Sequence, residues 1–145
     1  MRVAIGCDPN AASLAPMIEA LCRETGNDPV LVATDDPIYA NTAIAVGEGV
    51  ASGKYDRGIL VCGTGIGMAI AANKVKGVYA ALISDTYSAR RAVLSNDSNI
   101  ACVGALTLGE KVIAELLREW LNLQYVPGTP SEQKVKRYKE YDWRR

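Results

Sequence analysis

The amino-acid sequence predicts a single doubly wound α/β domain, Rossmann-like, with a five-stranded parallel sheet and helices on both faces. The length of 145 residues, 49% of them apolar, suits one domain with its own core and is too short for two. Short runs rich in Val and Ile alternate with longer segments of helical period, which is the pattern of βαβ units. Glycines at 26, 53 and 77 follow predicted helices, where such residues commonly end a helix.

Each predicted element follows from its local pattern. Apolar, β-branched runs predict strands over residues 2–6, 30–33, 57–62, 80–83 and 100–104. Helical periodicity predicts helices over residues 13–25, 38–52, 67–75, 85–95 and 109–123. Beyond residue 125 a stretch with Pro and Gly leads into a basic segment. Residues 1–125 are therefore predicted to form the domain, and residues 126–145 an extended tail rather than a second domain.

The composition excludes several classes of function. Sixteen basic residues balance sixteen acidic ones, so no general charge favours nucleic acid or an anionic membrane as a partner. No apolar run approaches the roughly 20 residues of a membrane span, and the start does not resemble a signal peptide. The chain has four cysteines far apart and no histidine. We expect a cytoplasmic protein with reduced thiols, no disulfide framework and no metal site.

Polar residues follow the first two predicted strands. In doubly wound sheets, ligands bind beyond the carboxyl ends of the strands, so these positions are candidates for a site. Asp8 and Asn10 follow the first strand, and Asp35 and Asp36 follow the second. The second pair could orient a substrate, or could only cap the helix that begins near Pro37.

The sharpest local signal is the loop Cys62-Gly63-Thr64-Gly65-Ile66-Gly67, which follows an apolar strand and enters a helix. A glycine-rich turn at a helix N-terminus exposes several backbone N–H groups that can hold a phosphate or an oxyanion. The positive end of a helix also favours the thiolate form of a nearby cysteine. Cys62 is therefore a candidate base or nucleophile. The alternative is a buried strand cysteine followed by a simple tight turn.

Nucleotide-binding loops fit this segment less well. Met68 stands where the third glycine of a dinucleotide fingerprint belongs, and the loop follows a later strand than that fingerprint does. The Gly-Lys-Ser/Thr ending of a triphosphate-binding loop is absent. A flavodoxin-like nucleotide-binding domain stays open only as an analogy of fold.

Several short stretches carry a resemblance to a known family. They are Asp8, Asp35, Pro37, residues 57–67, residues 71–75, residues 88–90 and residues 96–99. Together they resemble the ribose-5-phosphate isomerase B family, which also includes galactose-6-phosphate isomerase subunits and tetrose-phosphate isomerases. The resemblance runs from residue 1 to about residue 123.

The resemblance implies an assembly and a reaction. It implies a homodimer or a dimer of dimers, with active sites at the subunit interface and the tail, residues 126–145, packing on a neighbouring subunit. The implied reaction interconverts a phosphorylated aldose and ketose through a cis-enediolate, without metal or cofactor. Cys62 would move the proton between C1 and C2, and Thr64 would assist at the ring or a hydroxyl.

The resemblance also implies two sets of binding groups. The developing oxyanion would be held by the backbone N–H groups of Gly63, Gly65, Ile66 and Gly67. Substrate hydroxyls would be bound by Asp8, Asn96 and Asn99. The first loop, which contains Pro9 and Asn10, resembles the tetrose-phosphate members of the family.

Departures from the family pattern bear on the substrate. Pro9 stands where the family commonly has histidine, and Ser95 stands where it has the histidine that opens the sugar ring. The family's phosphate-binding arginine after the fifth strand is matched by Leu106, and positions of His and Arg in the tail fall on Ser131 and Gln133. These positions therefore do not supply the groups that ordinary pentose-phosphate binding uses in the family.

The lost ring opener favours a tetrose phosphate. Ribose 5-phosphate closes into a furanose through its O4, whereas a tetrose that carries its phosphate on O4 cannot. We therefore expect an isomerase of D-erythrulose 4-phosphate and D-erythrose 4-phosphate. A ribose-5-phosphate isomerase and an inactive sugar-phosphate-binding protein are the alternatives.

Binding of the phosphate group then needs replacement cations. The candidates are Arg90, Lys134, Lys136 and Arg137, although basic residues in such a tail are often only a solvated surface.

Overall fold

The computed structural model describes all 145 residues, and it confirms the five-stranded parallel sheet with helices on both faces. The strands are β1 Arg2–Cys7, β2 Asp28–Ala33, β3 Arg57–Cys62, β4 Ala80–Leu82 and β5 Ile100–Gly104. The helices are α1 Ala15–Glu24, α2 Tyr39–Ala51, α3 Ile66–Ala72, α4 Thr86–Leu94, α5 Glu110–Asn122 and α6 Glu132–Trp143. A short 3-10 helix, Pro9–Leu14, precedes α1.

The strand order is β2-β1-β3-β5-β4, with every neighbouring pair parallel. The order reverses after β1, so the loops that follow β1 and β3 emerge side by side at the centre of the carboxyl edge. This is where a doubly wound sheet binds its ligands. The central strands β3 and β5 are buried along their whole length, whereas β2 and β4 lie at the edges.

Alternation along the strands divides the core into two layers. Ile59 and Val61 of β3 pack with α1, α4 and α5, while Leu60 and Cys62 pack with α2 and α3. Successive side chains of a strand point to opposite faces, so the position of Cys62 in β3 directs its thiol to the α2/α3 face. The position of Cys62 in the alternation of side chains along β3 therefore decides on which face of the sheet the thiol lies.

The prediction of an extended tail is wrong for most of its length, because Glu132–Trp143 form the helix α6. This helix packs on its own chain. The buried carboxylate of Asp142 accepts hydrogen bonds from Gly77 N–H at 2.7 Å and from the Tyr79 hydroxyl at 3.2 Å. Lys139 forms an ion pair with Asp97 at 2.5 Å. Polar contacts, rather than an apolar stripe, thus hold this helix, because Val135 is its one buried apolar residue.

No helix in the structure combines the length and the apolar character that crossing a membrane would require.

Candidate active site

The loop after β3 is shaped by its glycines and by the end of β5. Gly65 has φ of +77°, and a Cβ there would lie 3.0 Å from the Val103 carbonyl carbon. Only glycine combines that backbone conformation with such close packing. The loop therefore lies tightly against β5 before α3 begins at Ile66.

The thiol of Cys62 lies beneath this loop. The residue is 5% exposed, and its Sγ accepts a hydrogen bond from Gly65 N–H at 3.2 Å. The loop thus folds back over the sulfur, and this hydrogen bond fixes the position of the sulfur. A simple tight turn would not need such a hydrogen bond. The other three cysteines are also free and buried.

The thiol faces a cavity of about 440 Å³ at the carboxyl edge of the sheet. The lining residues are Asp8, Asn10, Ala11, Tyr39, Cys62, Gly63, Thr64, Gly67, Ala105 and Leu106. Six of the residues that the sequence proposed for the site are therefore brought together around one cavity: Asp8, Asn10, Cys62, Gly63, Thr64 and Gly67. The volume is in the range of small-molecule sites.

Asp8 and Asn10 form one wall of this cavity. The Asp8 N–H donates to Val61 O at 2.8 Å, which joins the first loop to β3. Its Oδ1 accepts from the Asn10 N–H at 2.8 Å and caps the 3-10 helix that follows. This arrangement holds the carboxylate at the cavity while its second oxygen stays available to a ligand. Pro9 occupies the first turn of the 3-10 helix, is exposed and does not line the cavity.

The four backbone N–H groups expected to hold an oxyanion fall into two pairs. Gly65 N–H donates to Cys62 Sγ, and Ile66 N–H donates to Thr64 Oγ1 at 3.3 Å. Neither of these two residues lines the cavity, whereas Gly63 and Gly67 do. In this conformation the loop thus offers the N–H groups of Gly63 and Gly67 to a ligand.

The two predicted asparagines lie at the opposite edge of the sheet, just before β5. The Asn99 side chain accepts from Tyr79 N–H at 2.7 Å and donates to Gly77 O at 2.8 Å, so it anchors the entry to β4. Asn96 is exposed and lines a second cavity, of about 560 Å³, between α4, β4 and α6. Neither side chain meets Cys62 within one chain.

None of the predicted phosphate-binding cations reaches the Cys62 cavity in the same chain. Arg90 pairs with Glu119 at 3.0 Å, and Lys136 pairs with Glu132 at 2.8 Å. Lys134 and Arg137 are exposed on α6, which lies beside Asn96, because the Tyr138 hydroxyl donates to Asn96 O. Asn96 and the helix α6, which carries these cations, therefore lie side by side at the amino edge of the sheet.

The cavity itself contains no basic side chain. Leu106 is 86% exposed, and its Cδ1 would lie 3.1 Å from a Cβ at Gly63. The residue that replaces the family's arginine thus stands at the mouth of the cavity and adds apolar surface there. No group of three or more His, Cys, Asp or Glu side chains in the chain is arranged to hold a metal ion.

Sequence reasoning missed Tyr39, which lines the cavity from the start of α2. A tyrosine at the start of a helix belongs to no motif that sequence analysis recognises. A signal was available, because the residue comes soon after β2 and thus at the same edge of the sheet as Asp8 and Cys62.

Comparisons with known proteins agree with this geometry. Residues 3–138 match the family described as Ribose/Galactose Isomerase. D-erythrulose-4-phosphate isomerase 2 of Mycolicibacterium smegmatis is 46% identical over 101 residues, 70% of this chain and 66% of that protein. Ribose-5-P isomerase B of Listeria innocua is 41% identical over 145 residues, 98% of this chain and 97% of that protein. The type B ribose 5-phosphate isomerase of Trypanosoma cruzi superposes with a TM-score of 0.94, at 35% identity and full coverage of both chains.

The doubly wound sheet, the glycine-rich loop at its switch point and the family match together identify an enzyme of the sugar-isomerase class. Its named relatives interconvert phosphorylated aldoses and ketoses. The chain belongs to the ribose/galactose isomerase family, and the expected resemblance is confirmed.

Proposed function

We propose that the protein interconverts D-erythrulose 4-phosphate and D-erythrose 4-phosphate, with Cys62 as the base. The Cys62 thiolate takes the proton from the carbon beside the carbonyl group and returns it to the neighbouring carbon, through a cis-enediolate. The thiol lines the cavity and is held by the Gly65 N–H, as a positioned base requires.

One observation carries the choice of a tetrose: the chain contains no histidine at all. An isomerase of a pentose phosphate must open a furanose ring before the base can act, and the imidazole group is the usual acid–base group near neutral pH. Ser95 stands at the family's ring-opening position. A tetrose 4-phosphate has no free O4 to close such a ring, so the loss of histidine has no catalytic cost for that substrate.

The remaining lining groups suit a short polyol chain. Gly63 and Gly67 line the cavity, and their N–H groups would stabilise the negative charge that develops on oxygen. Asp8, Asn10 and Thr64 would bind hydroxyl groups and fix which face of the substrate meets the thiolate. The apolar Leu106 at the mouth leaves the phosphate to be bound by groups from elsewhere.

Those groups would come from a second subunit. Asn96 lies beside α6, the helix that carries Lys134 and Arg137, and none of the three residues lines the Cys62 cavity of its own chain. A homodimer that pairs the amino edge of one protomer with the carboxyl edge of the other would bring an amide and two cations to each thiol. The position of the tail helix supports this arrangement, because the helix that carries both cations contacts Asn96 through the Tyr138 hydroxyl.

The test is an isomerisation assay on D-erythrulose 4-phosphate and D-ribose 5-phosphate with wild type, Cys62→Ala and Cys22→Ala. Cys22 is buried in α1 outside the cavity, so its variant controls for loss of a buried thiol. We expect preference for the tetrose and loss of turnover only in Cys62→Ala. Preference for the pentose would overturn the substrate. Binding without turnover would support the inactive binding protein instead, and an active Cys62→Ala would overturn the mechanism.

Ribose 5-phosphate is the second candidate because the Listeria innocua relative aligns over 98% of this chain. Thr64 or a water molecule would then have to open the ring. The same assay distinguishes the two sugars directly.

A further inference from the structure

Tyr39 is the one aromatic residue that lines the Cys62 cavity. It opens α2, and the turn before it is held by Asp36, whose Oδ1 accepts from Ile38 N–H at 2.8 Å. The other oxygen of Asp36 accepts from the Asn41 side chain at 3.2 Å. Asp36 thus forms an Asx turn just before α2, which fixes the backbone from which the phenol projects.

The phenol lies directly against the first turn of α3. A Cβ at Gly67 would lie 2.2 Å from the Tyr39 hydroxyl oxygen and 2.6 Å from its Cζ. Only glycine permits this approach. The hydroxyl has no hydrogen-bond partner in the protein, and the residue is 37% exposed through the cavity side. An unpaired phenol group is therefore held, by packing rather than by a hydrogen bond, at the wall of the site.

The phenol and the thiol flank the same short segment. Cys62 Sγ contacts the N–H of Gly65, while the Tyr39 hydroxyl contacts Gly67. Tyr39 and Cys62 line the same cavity, so one small substrate bound there can meet both the phenol and the thiol.

The isomerisation moves two hydrogens, and the thiol accounts for one of them. The hydrogen on carbon passes from C2 to C1 of the aldose, and a hydrogen on oxygen must pass from O2 to O1. The second transfer needs a group that both donates and accepts a proton. A phenol hydroxyl does both, and the chain has no imidazole that could serve.

We propose that the Tyr39 hydroxyl carries the proton between the two substrate oxygens. As the Cys62 thiolate removes the C2 proton, the C1–C2 double bond forms and the negative charge moves to O1, which gives the cis-enediolate. O1 then takes the phenol proton. The phenolate oxygen then takes the proton from O2, the C2–O2 double bond forms, and C1 takes the proton back from the thiol. Thiolate and phenol are both restored. This step rests on the isomerase mechanism proposed above and adds a second catalytic residue to it.

The test compares Tyr39→Phe with Tyr87→Phe, which removes a hydroxyl from an exposed first-turn position of α4 outside the cavity. We expect Tyr39→Phe to lower kcat about 100-fold with little change in KM, as loss of a general acid–base group does. In deuterium oxide, the ratio of C2 hydrogen exchange to product formation should rise about 10-fold, because the thiolate still removes the proton while the intermediate returns to substrate. A purely structural role would not change that ratio.

Two outcomes overturn the relay. One is a Tyr39→Phe variant with the kcat of wild type, and the other is a lower kcat with an unchanged exchange ratio. If wild type neither turns over nor exchanges hydrogen with either sugar, the isomerase proposal itself fails and the relay falls with it. If wild type is active and Cys62→Ala is silent while Tyr39→Phe matches wild type, the relay alone is wrong. Melting temperatures within a few degrees of wild type establish that the variants are folded.

Discussion

Replacement of Asp142 by Ala tests how α6 is held and whether it serves the active site. The Asp142 carboxylate is 5% exposed and accepts hydrogen bonds from Gly77 N–H and the Tyr79 hydroxyl. It also pairs with Arg145. A hydrogen bond to a charged group contributes about 1.5–3 kcal/mol, and water can replace part of it at these half-buried donors. The loss should therefore weaken the docking of α6 by about 2–4 kcal/mol.

The assay is amide hydrogen exchange within residues 132–143, measured beside the KM for the sugar phosphate. Weaker docking by this amount should speed exchange in α6 about 30-fold to 1,000-fold, while β3 and β5 stay protected. If α6 supplies cations to a partner's cavity, KM should rise more than kcat falls. Glu140→Ala is the matched control, because Glu140 is exposed on the same helix.

Two results would refute this reasoning. Unchanged exchange in α6 would show that the buried carboxylate does not hold the helix. Faster exchange with an unchanged KM would leave the docking argument standing but would remove α6 from the active site. Equal effects in Glu140→Ala would point to the intrinsic helicity of the segment rather than to its docking.

Three further predictions concern Arg57, Gly104 and the effect of pH on Asp142. Arg57→Met removes two hydrogen bonds, of 2.8 and 2.7 Å, to carbonyl oxygens at the end of α5, and should lower the free energy of unfolding by about 2–3 kcal/mol in urea titration without changing kcat. Gly104→Ala places a Cβ 2.8 Å from the Thr64 backbone and should lower kcat/KM more than 10-fold, whereas Gly109→Ala, with no atom within 4 Å, should be neutral. Burial alone would raise the Asp142 pKa, but its hydrogen bonds hold the pKa below the usual value. We therefore expect α6 to stay docked above about pH 4 and to lose amide protection as the pH falls further. An Asp142→Asn variant should lack this transition.

Local patterns were sufficient for the central strands and for the position of the glycine-rich loop. The bounds of β3 and β5 agree with the prediction because both are short runs dominated by apolar residues, and they end in cysteine and glycine at the carboxyl edge. The grouping of Asp8 with Cys62 also followed, since residues after parallel strands meet at one edge of a sheet. The order of the strands does not follow from any local pattern and is shown by the structure.

The surroundings of several candidate residues depend on long-range partners. Arg90 is paired with Glu119 on α5, and Asn99 is engaged by the backbone at the start of β4. Neither partner is near in sequence, so no local pattern shows that these side chains are already occupied. Asn96 lies at the edge opposite to Cys62, which only the finished sheet reveals.

The tail shows the same limit at the level of secondary structure. Residues 132–143 are mostly charged and aromatic, and one apolar residue, Val135, is buried. Hydrophobic periodicity therefore gave no sign of a helix. The helix is held by Asp142 and by the ion pair of Lys139, both of which reach residues more than 40 positions away.

The sequence by itself determined the class of fold, the family, the glycine-rich loop with its cysteine and the absence of histidine. These are properties of residue type and spacing, which folding does not alter. The tertiary structure decided which candidate groups share a cavity, that Tyr39 joins them, and that Asn96 and the cations of α6 belong to another edge. Those facts arise from packing between distant segments, where one close approach, such as Tyr39 on Gly67, fixes the position of a side chain.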